Sequence, residues 1–246
     1  MIGAAGISFV VEESDERKGM PIIKKSMIYF KIISSIIFIF AFNFILAGRW
    51  NYWQGWVFAI VMIIIIAVTL ILFRDKMDLA QERMHPGPGV KSWDKILFTG
   101  FTSFTLAVWA VGVLDSGRFG WSLRFPAWAY IGSYLVFMFS VFMFTWPMVV
   151  NRWFSSMVRI QKDRGQQVCQ DGPYKYIRHP GYVGGILLAL SMSLVFGSLW
   201  ALVPGAVTVI LLVLRTYLED KTLQQELPGY LEYSKKVRYR LIPGIW

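Results

Sequence analysis

The chain has 246 residues, 56% of them hydrophobic and 16% charged, with a mean hydropathy of +0.50. That balance excludes an ordinary soluble domain. A single cysteine, Cys169, excludes an intramolecular disulfide, and two histidines leave a zinc centre short of ligands, so no metal is expected.

From the N-terminus, residues 1–26 read as a polar tail carrying Glu12, Glu13, Asp15 and Glu16, without a convincing signal-cleavage site. Residues 27–246 read as one membrane-embedded, all-α domain. Six apolar stretches in it approach the length needed to cross a bilayer: Met27–Ala47, Tyr52–Phe73, Trp93–Asp115, Pro126–Val150, Gly181–Gly197 and Ser198–Leu218. The fifth is short and depends on its neighbours. Between the second and third, "RDKMDLAQERMHPGPGVKSW" (Arg74–Trp93) predicts an interfacial helix with Met77, Ala80 and Met84 on one face, broken at Pro86. His85 there reads as a polar residue at headgroup level. Pro147 predicts a kink in the fourth span.

The formal charge of +10 could suggest nucleic acid, but its distribution points elsewhere. Of the 25 Lys and Arg, 22 fall in loops on one side of the six spans, and only Arg49, Arg118 and Arg124 fall on the other. This is the positive-inside pattern with both termini cytoplasmic, and no nucleic-acid partner is needed to explain it. Trp50, Trp53, Trp121, Trp128 and Trp200 gather at the outer ends of the spans, where indoles favour the interface.

Along the fifth span, Gly181, Gly185, Ala189, Ser193 and Gly197 put a small residue at every fourth position. Such a ridge lets helix backbones approach closely in lipid. Just before it lies "DGPYKYIRHPGYVGG" (Asp171–Gly185), polar and aromatic between two apolar spans. Pro173 and Pro180 turn the residues before them out of helical geometry, which predicts a rigid, largely non-helical strap at the membrane surface. Its free backbone groups need partners, which a polar ligand would supply. Tyr174, Tyr176 and Tyr182 offer faces to a cation. By composition alone, a plain loop with interfacial tyrosines fits equally well.

The sixth span runs into "LLVLRTYLEDKTLQQELPGYLEYSKK". Arg215, Glu219, Thr222 and Glu226 share one helical face there, with Asp220 turned about a quarter turn away. Ionisable residues where an apolar run gives way to polar sequence suggest a functional site, or a simple Arg215–Glu219 salt bridge closing the span. No Rossmann glycine turn, nucleophile elbow or His-Glu-x-x-His motif is present.

Gly172-Pro173-Tyr174, Arg178-His179-Pro180 with Tyr182, Arg215 with Glu219-Asp220, Tyr230, Tyr233 and the closing "RLIPG" together resemble the isoprenylcysteine carboxyl methyltransferase family, itself related to membrane phospholipid methyltransferases. The likeness covers about the last third of the chain, and "ERMHPGPGVKSWDK" (Glu82–Lys95) is similar to prokaryotic-type members. Asp220 stands where many members have Glu, and Ser-Lys-Lys follows Tyr233 where many have arginines.

The resemblance implies S-adenosylmethionine bound mainly within residues 165–246. Gly172, Pro173, Tyr174, Tyr176, Ile177, Arg178, His179, Pro180 and Tyr182 of the strap, with Tyr230, Tyr233, Arg238 and Arg240 of the C-terminal segment, would hold it. Arg215, Glu219 and Asp220 would lie near the transferred methyl. The acceptor would be lipophilic and come from the bilayer, with membrane lipids as partners. A carboxylate acceptor needs no base, whereas an amine or thiol makes Glu219 or Asp220 a candidate base. A nicotinamide-dependent membrane reductase on a similar scaffold is the alternative.

Overall fold

The computed structural model describes residues 25–74 and 87–246, with side chains of the first helix from Phe30 onward. The N-terminal tail and the interfacial helix expected around Met77–Met84, with His85, lie outside the described residues. Seven α-helices follow in order: α1 Lys25–Ala47, α2 Trp53–Phe73, α3 Ser92–Val113, α4 Ala127–Val150, α5 Pro180–Val195, α6 Leu202–Glu226 and α7 Tyr230–Lys236. A wide π-type turn, Leu114–Phe119, extends α3, and no strand occurs among the described residues.

Five of these helices, α1, α2, α3 with its extension, α4 and α6, are long and apolar enough to cross a membrane. The expected fifth span is the exception. It starts at Pro180, whose missing N–H suits a first helical position, and has 16 residues. At 1.5 Å per residue it reaches about 24 Å, short of a hydrocarbon core of about 30 Å. Gly197, at φ +72°, turns the chain immediately afterwards. Ser198 then accepts from the Ala201 N–H at 3.1 Å and opens the turn into α6. α6 runs eight residues beyond the expected Leu218, because "EDKTLQQE" continues its amphipathic pattern. That extension carries Glu219 and Asp220 to the strap.

The small-residue ridge is divided between neighbours. Gly185 lies against Leu212 of α6, where a Cβ would stand 3.2 Å from a Leu212 methyl, and Gly205 of α6 nestles beside Ser193 and Ala189. The closest approach to another helix's backbone belongs to Gly184, outside the expected ridge. A Cβ there would lie 2.5 Å from the Phe144 backbone nitrogen and 2.8 Å from its Cα. α4 continues through Pro147 and ends at Asn151, whose N–H bonds the Pro147 carbonyl at 2.9 Å.

Aromatic packing fills the half of the bundle away from the strap, around Tyr52, Phe58, Phe137 and Phe196. Asp115, fully buried there, accepts from the Ser122 N–H at 2.8 Å, the Ser122 hydroxyl at 2.5 Å and the Ser198 hydroxyl at 2.6 Å. It thereby ties the α3–α4 loop to the α5–α6 turn. Isoleucines and leucines such as Ile71, Ile131, Leu135 and Ile210 are exposed along the helices, as a lipid-facing surface requires.

Candidate functional site

The strap forms one short 3-10 turn, Gly172–Lys175, and then runs without regular structure to His179. Gly172 takes φ +56° against Val150 and Trp146, a conformation that favours glycine. The expectation that a ligand satisfies the strap's backbone is corrected at two residues. The Arg178 and His179 N–H groups bond the Tyr239 and Arg240 carbonyls, each at 3.0 Å. The C-terminal segment is therefore the strap's partner, and the Tyr233 hydroxyl adds a 2.7 Å bond to the Tyr174 carbonyl.

Asp220 joins the strap, the C-terminal segment and α6. Its carboxylate, with no exposed surface, accepts from Arg178 at 2.7 and 3.0 Å, Arg240 at 2.8 Å, Tyr230 at 3.0 Å and Gln224 at 2.8 Å. His179 Nε2 lies 3.2 Å from it. Arg178 spends its Nη1 N–H groups on the Val237 and Arg238 carbonyls at 2.8 and 2.9 Å. Every lone pair of Asp220 is engaged, so its surroundings do not suit the base role considered for it. It holds the site together instead.

The expected Arg215–Glu219 pair is also corrected. Arg215 forms a two-pronged ion pair with Asp94 of α3, at 2.6 and 3.0 Å, and bonds the Ser156 carbonyl at 2.7 Å. Its guanidinium carbon lies 5.2 Å from the Phe101 ring centre and 5.5 Å from that of Tyr182. This leaves Nη1 without a hydrogen-bond partner among the described residues. Glu219 instead accepts a hydrogen bond from the Tyr182 hydroxyl. Asp94 also takes the Val158 N–H at 2.7 Å, docking the α4–α5 loop on α3.

These groups surround a cavity of about 450 Å³, within the usual range for small-molecule sites. His179, Tyr182, Arg215, Glu219, Tyr230 and Tyr233 line its strap end, joined by Asn151, Trp153, Gln161 and Gln166 of the α4–α5 loop. Phe98, Phe101, Phe144, Leu188 and Leu212 line the part deeper in the bundle. Tyr174 and Arg178 touch the cavity, but Gly172, Pro173, Ile177, Pro180, Arg238 and Arg240 stand behind the wall. Tyr176 is 68% exposed and points away.

The sequence patterns single out neither loop residues 151–164 nor Phe98 and Phe101 of α3. The buried Gln161 organises that loop: its amide bonds the Trp153 carbonyl at 2.7 Å and it accepts from Arg164 at 2.6 Å. Trp153 Nε1 is buried beside the cavity with no partner among the described residues.

Outside the helices that cross the membrane, burial raises the phenols of Tyr174, Tyr230 and Tyr233 well above their ordinary range. They remain neutral hydrogen-bonding groups at physiological pH. Burial likewise raises the Cys169 thiol. Arg159, 2.8 Å from Asp163, holds that carboxyl below its usual range.

Fold and site together define a polytopic helical membrane protein with a two-natured cavity at one membrane edge, polar toward the strap and apolar toward the bundle. Residues 132–225 match the isoprenylcysteine carboxyl methyltransferase family, a family of membrane methyltransferases, and the resemblance drawn from the strap and α6 motifs holds over that segment. The chain is also 35% identical over 86 residues to the Delta(14)-sterol reductase TM7SF2 of Mus musculus. That stretch is 33% of this chain and 20% of the reductase, so the likeness covers about a fifth of that relative.

Proposed function

We propose that the chain transfers a methyl group from S-adenosylmethionine to a lipophilic acceptor at the cytoplasmic membrane face, the acceptor presenting a carboxylate of the prenylcysteine type. The observation that carries this reading is that Arg215 and Glu219 line the polar strap end of a cavity whose deeper part is apolar. A soluble cofactor and a lipid-borne acceptor would meet there.

The lining suits the cofactor. The rings of Tyr182, Tyr230 and Tyr233 and the carboxylate of Glu219 favour a cation. Trp153 Nε1 offers a buried donor still lacking a partner among the described residues. S-adenosylmethionine, when bound, supplies an electrophilic methyl on a sulfonium. Arg215, fixed by Asp94, would orient the acceptor carboxylate through Nη1. Phe98, Phe101, Phe144 and Leu212 would exclude water. A cation and an anion then become two neutral products, which a dry site favours, and no base is required. With an amine or thiol acceptor, Glu219 would take the proton at its carboxylate.

A second reading, a nicotinamide-dependent reductase, is favoured by the likeness to the sterol reductase. Equilibrium binding of radiolabelled S-adenosylmethionine and of NADPH to the purified full chain separates the two. Saturable binding of the first alone is expected, and binding of NADPH alone would overturn the methyltransferase reading. Supplying the labelled cofactor with a prenylated cysteine analogue, a phosphatidylethanolamine and a small soluble thiol then tests the acceptor. Base-labile label on the first is expected, label on the lipid amine moves the proposal to phospholipids, and transfer only to the soluble thiol removes the lipophilic acceptor.

Orientation belongs to the same proposal. In a Cys169→Ser background, an impermeant maleimide should label Leu123→Cys from outside intact cells and leave Lys175→Cys untouched.

A further inference from the structure

The three arginines that break the charge pattern come together. Arg49 in the α1–α2 loop and Arg118 and Arg124 in the α3–α4 connection all line one cavity of about 540 Å³, at the end of the bundle opposite the strap. No carboxylate pairs with any of them among the described residues. Asp115, the nearest acid in sequence to Arg118 and Arg124, is buried and occupied by Ser122 and Ser198.

Three like charges around one hollow repel one another, and an anion in the hollow removes that cost. Asn51, Gln54, Ser116 and Ser122 add further polar groups to the lining. Ser116 Oγ meets the Tyr52 hydroxyl at 2.7 Å, and the Ser116 carbonyl accepts from Arg49 at 3.3 Å, which fixes one guanidinium at the rim. Depth narrows the choice of anion. Trp50, Trp53, Trp121, Trp128 and Trp200 are 48–75% exposed at this same end. Such indoles sit at headgroup level. Planar guanidinium groups match phosphate oxygens better than any other basic side chain.

We propose that this cavity is a second ligand site, binding a phosphate group carried by an anionic lipid headgroup. It is independent of the methyltransferase reading, because it shares no residue with the strap cavity.

The test uses the full chain in detergent, titrated by native mass spectrometry with short-chain phosphatidylglycerol, with the matching uncharged diacylglycerol and with glycerol phosphate. One saturable phosphatidylglycerol site is expected, weakened about thirtyfold by the double substitution Arg118→Gln, Arg124→Gln, at the usual contribution of each basic residue near anionic lipid. Both side chains are exposed, so the double variant should keep its fold and its thermal unfolding midpoint. Glycerol phosphate failing to compete identifies the lipid as the source. Glycerol phosphate binding equally well keeps the phosphate site and makes a soluble anion its occupant. Binding of phosphatidylglycerol no better than diacylglycerol, or unchanged in the double variant, overturns the proposal.

Discussion

Each end of the bundle is organised around a fully buried aspartate, yet the two ends use their cations in opposite ways. At the strap end, Arg178 and Arg240 close on Asp220, Arg215 closes on Asp94 and Arg159 on Asp163. At the other end, Asp115 takes only hydroxyl and amide donors, and the arginines are left to the cavity. The cations of the strap end build a site, whereas those of the opposite end line one. The contrast shows why a count of charges per loop is a poor guide to binding: what matters is which cations already have a carboxylate.

The largest expected break in this comparison is at Asp220. Asp220→Ala leaves Arg178 buried and unpaired, a change that typically costs about 3–5 kcal/mol. It should abolish cofactor binding and lower the thermal midpoint strongly. Asp115→Asn keeps two acceptor sites and removes no ion pair. It should cost about 1–3 kcal/mol and leave cofactor affinity unchanged. Equal losses in the two variants would erase the distinction.

Asp94→Asn sharpens it further. Arg215 would lose its charged partner and its fixed orientation, so turnover with the lipophilic acceptor should fall by at least about tenfold, as for a loss of about 1.4 kcal/mol or more of transition-state stabilisation. Cofactor affinity should change much less, since Asp94 does not line the cavity. A matched fall in both would make Asp94 merely structural.

Helix packing gives a smaller test. Gly184→Ala forces a methyl into the α4 backbone and should cost about 1–3 kcal/mol. Gly185→Ala meets only a Leu212 methyl that can shift, and should cost less. Thermal unfolding in one detergent ranks the two, and a reversed order would refute the packing described.

The smallest effect concerns Cys169. Burial raises its thiol pKa, so its thiolate fraction at neutral pH is below that of a free cysteine. Maleimide labelling should be slow at pH 7, speed up as pH rises, and slow further when a ligand fills the cavity Cys169 lines. Labelling as fast as a small thiol at pH 7 would contradict that environment.

The sequence made the strap legible because Pro173, Pro180 and Gly172 act locally, through dihedral limits that need no tertiary information. The polar end of α6 was legible for a similar reason, since a helix places residues four apart on one face. Spacing could not choose between Glu219 and Asp94 as the partner of Arg215. Asp94 lies 121 positions away, and long-range pairing leaves no periodic trace. The glycine ridge failed in the same manner. Periodicity located a small-residue face but could not say where a neighbouring backbone comes closest, and Gly184 sits just off it. The α4–α5 loop shows no regular pattern at all, so Trp153 and Gln161 emerge only once the loop is folded.

The shortness of α5 has a consequence for the bilayer itself. α5 and α6 meet at one membrane surface, yet α5 stops after 16 residues while α6 runs for 25. Counted along α6, Asp220 is about 27 Å from the helix start, inside a hydrocarbon core about 30 Å thick. Thinning of the bilayer is one way to accommodate so short a helix, and it would let lipid headgroups and water dip toward the strap. A water-soluble molecule can then reach the depth at which an acyl or prenyl chain already lies. The short helix would then bring the aqueous phase down to the lipid, and the proposed lipid-borne acceptor would not need to rise into water.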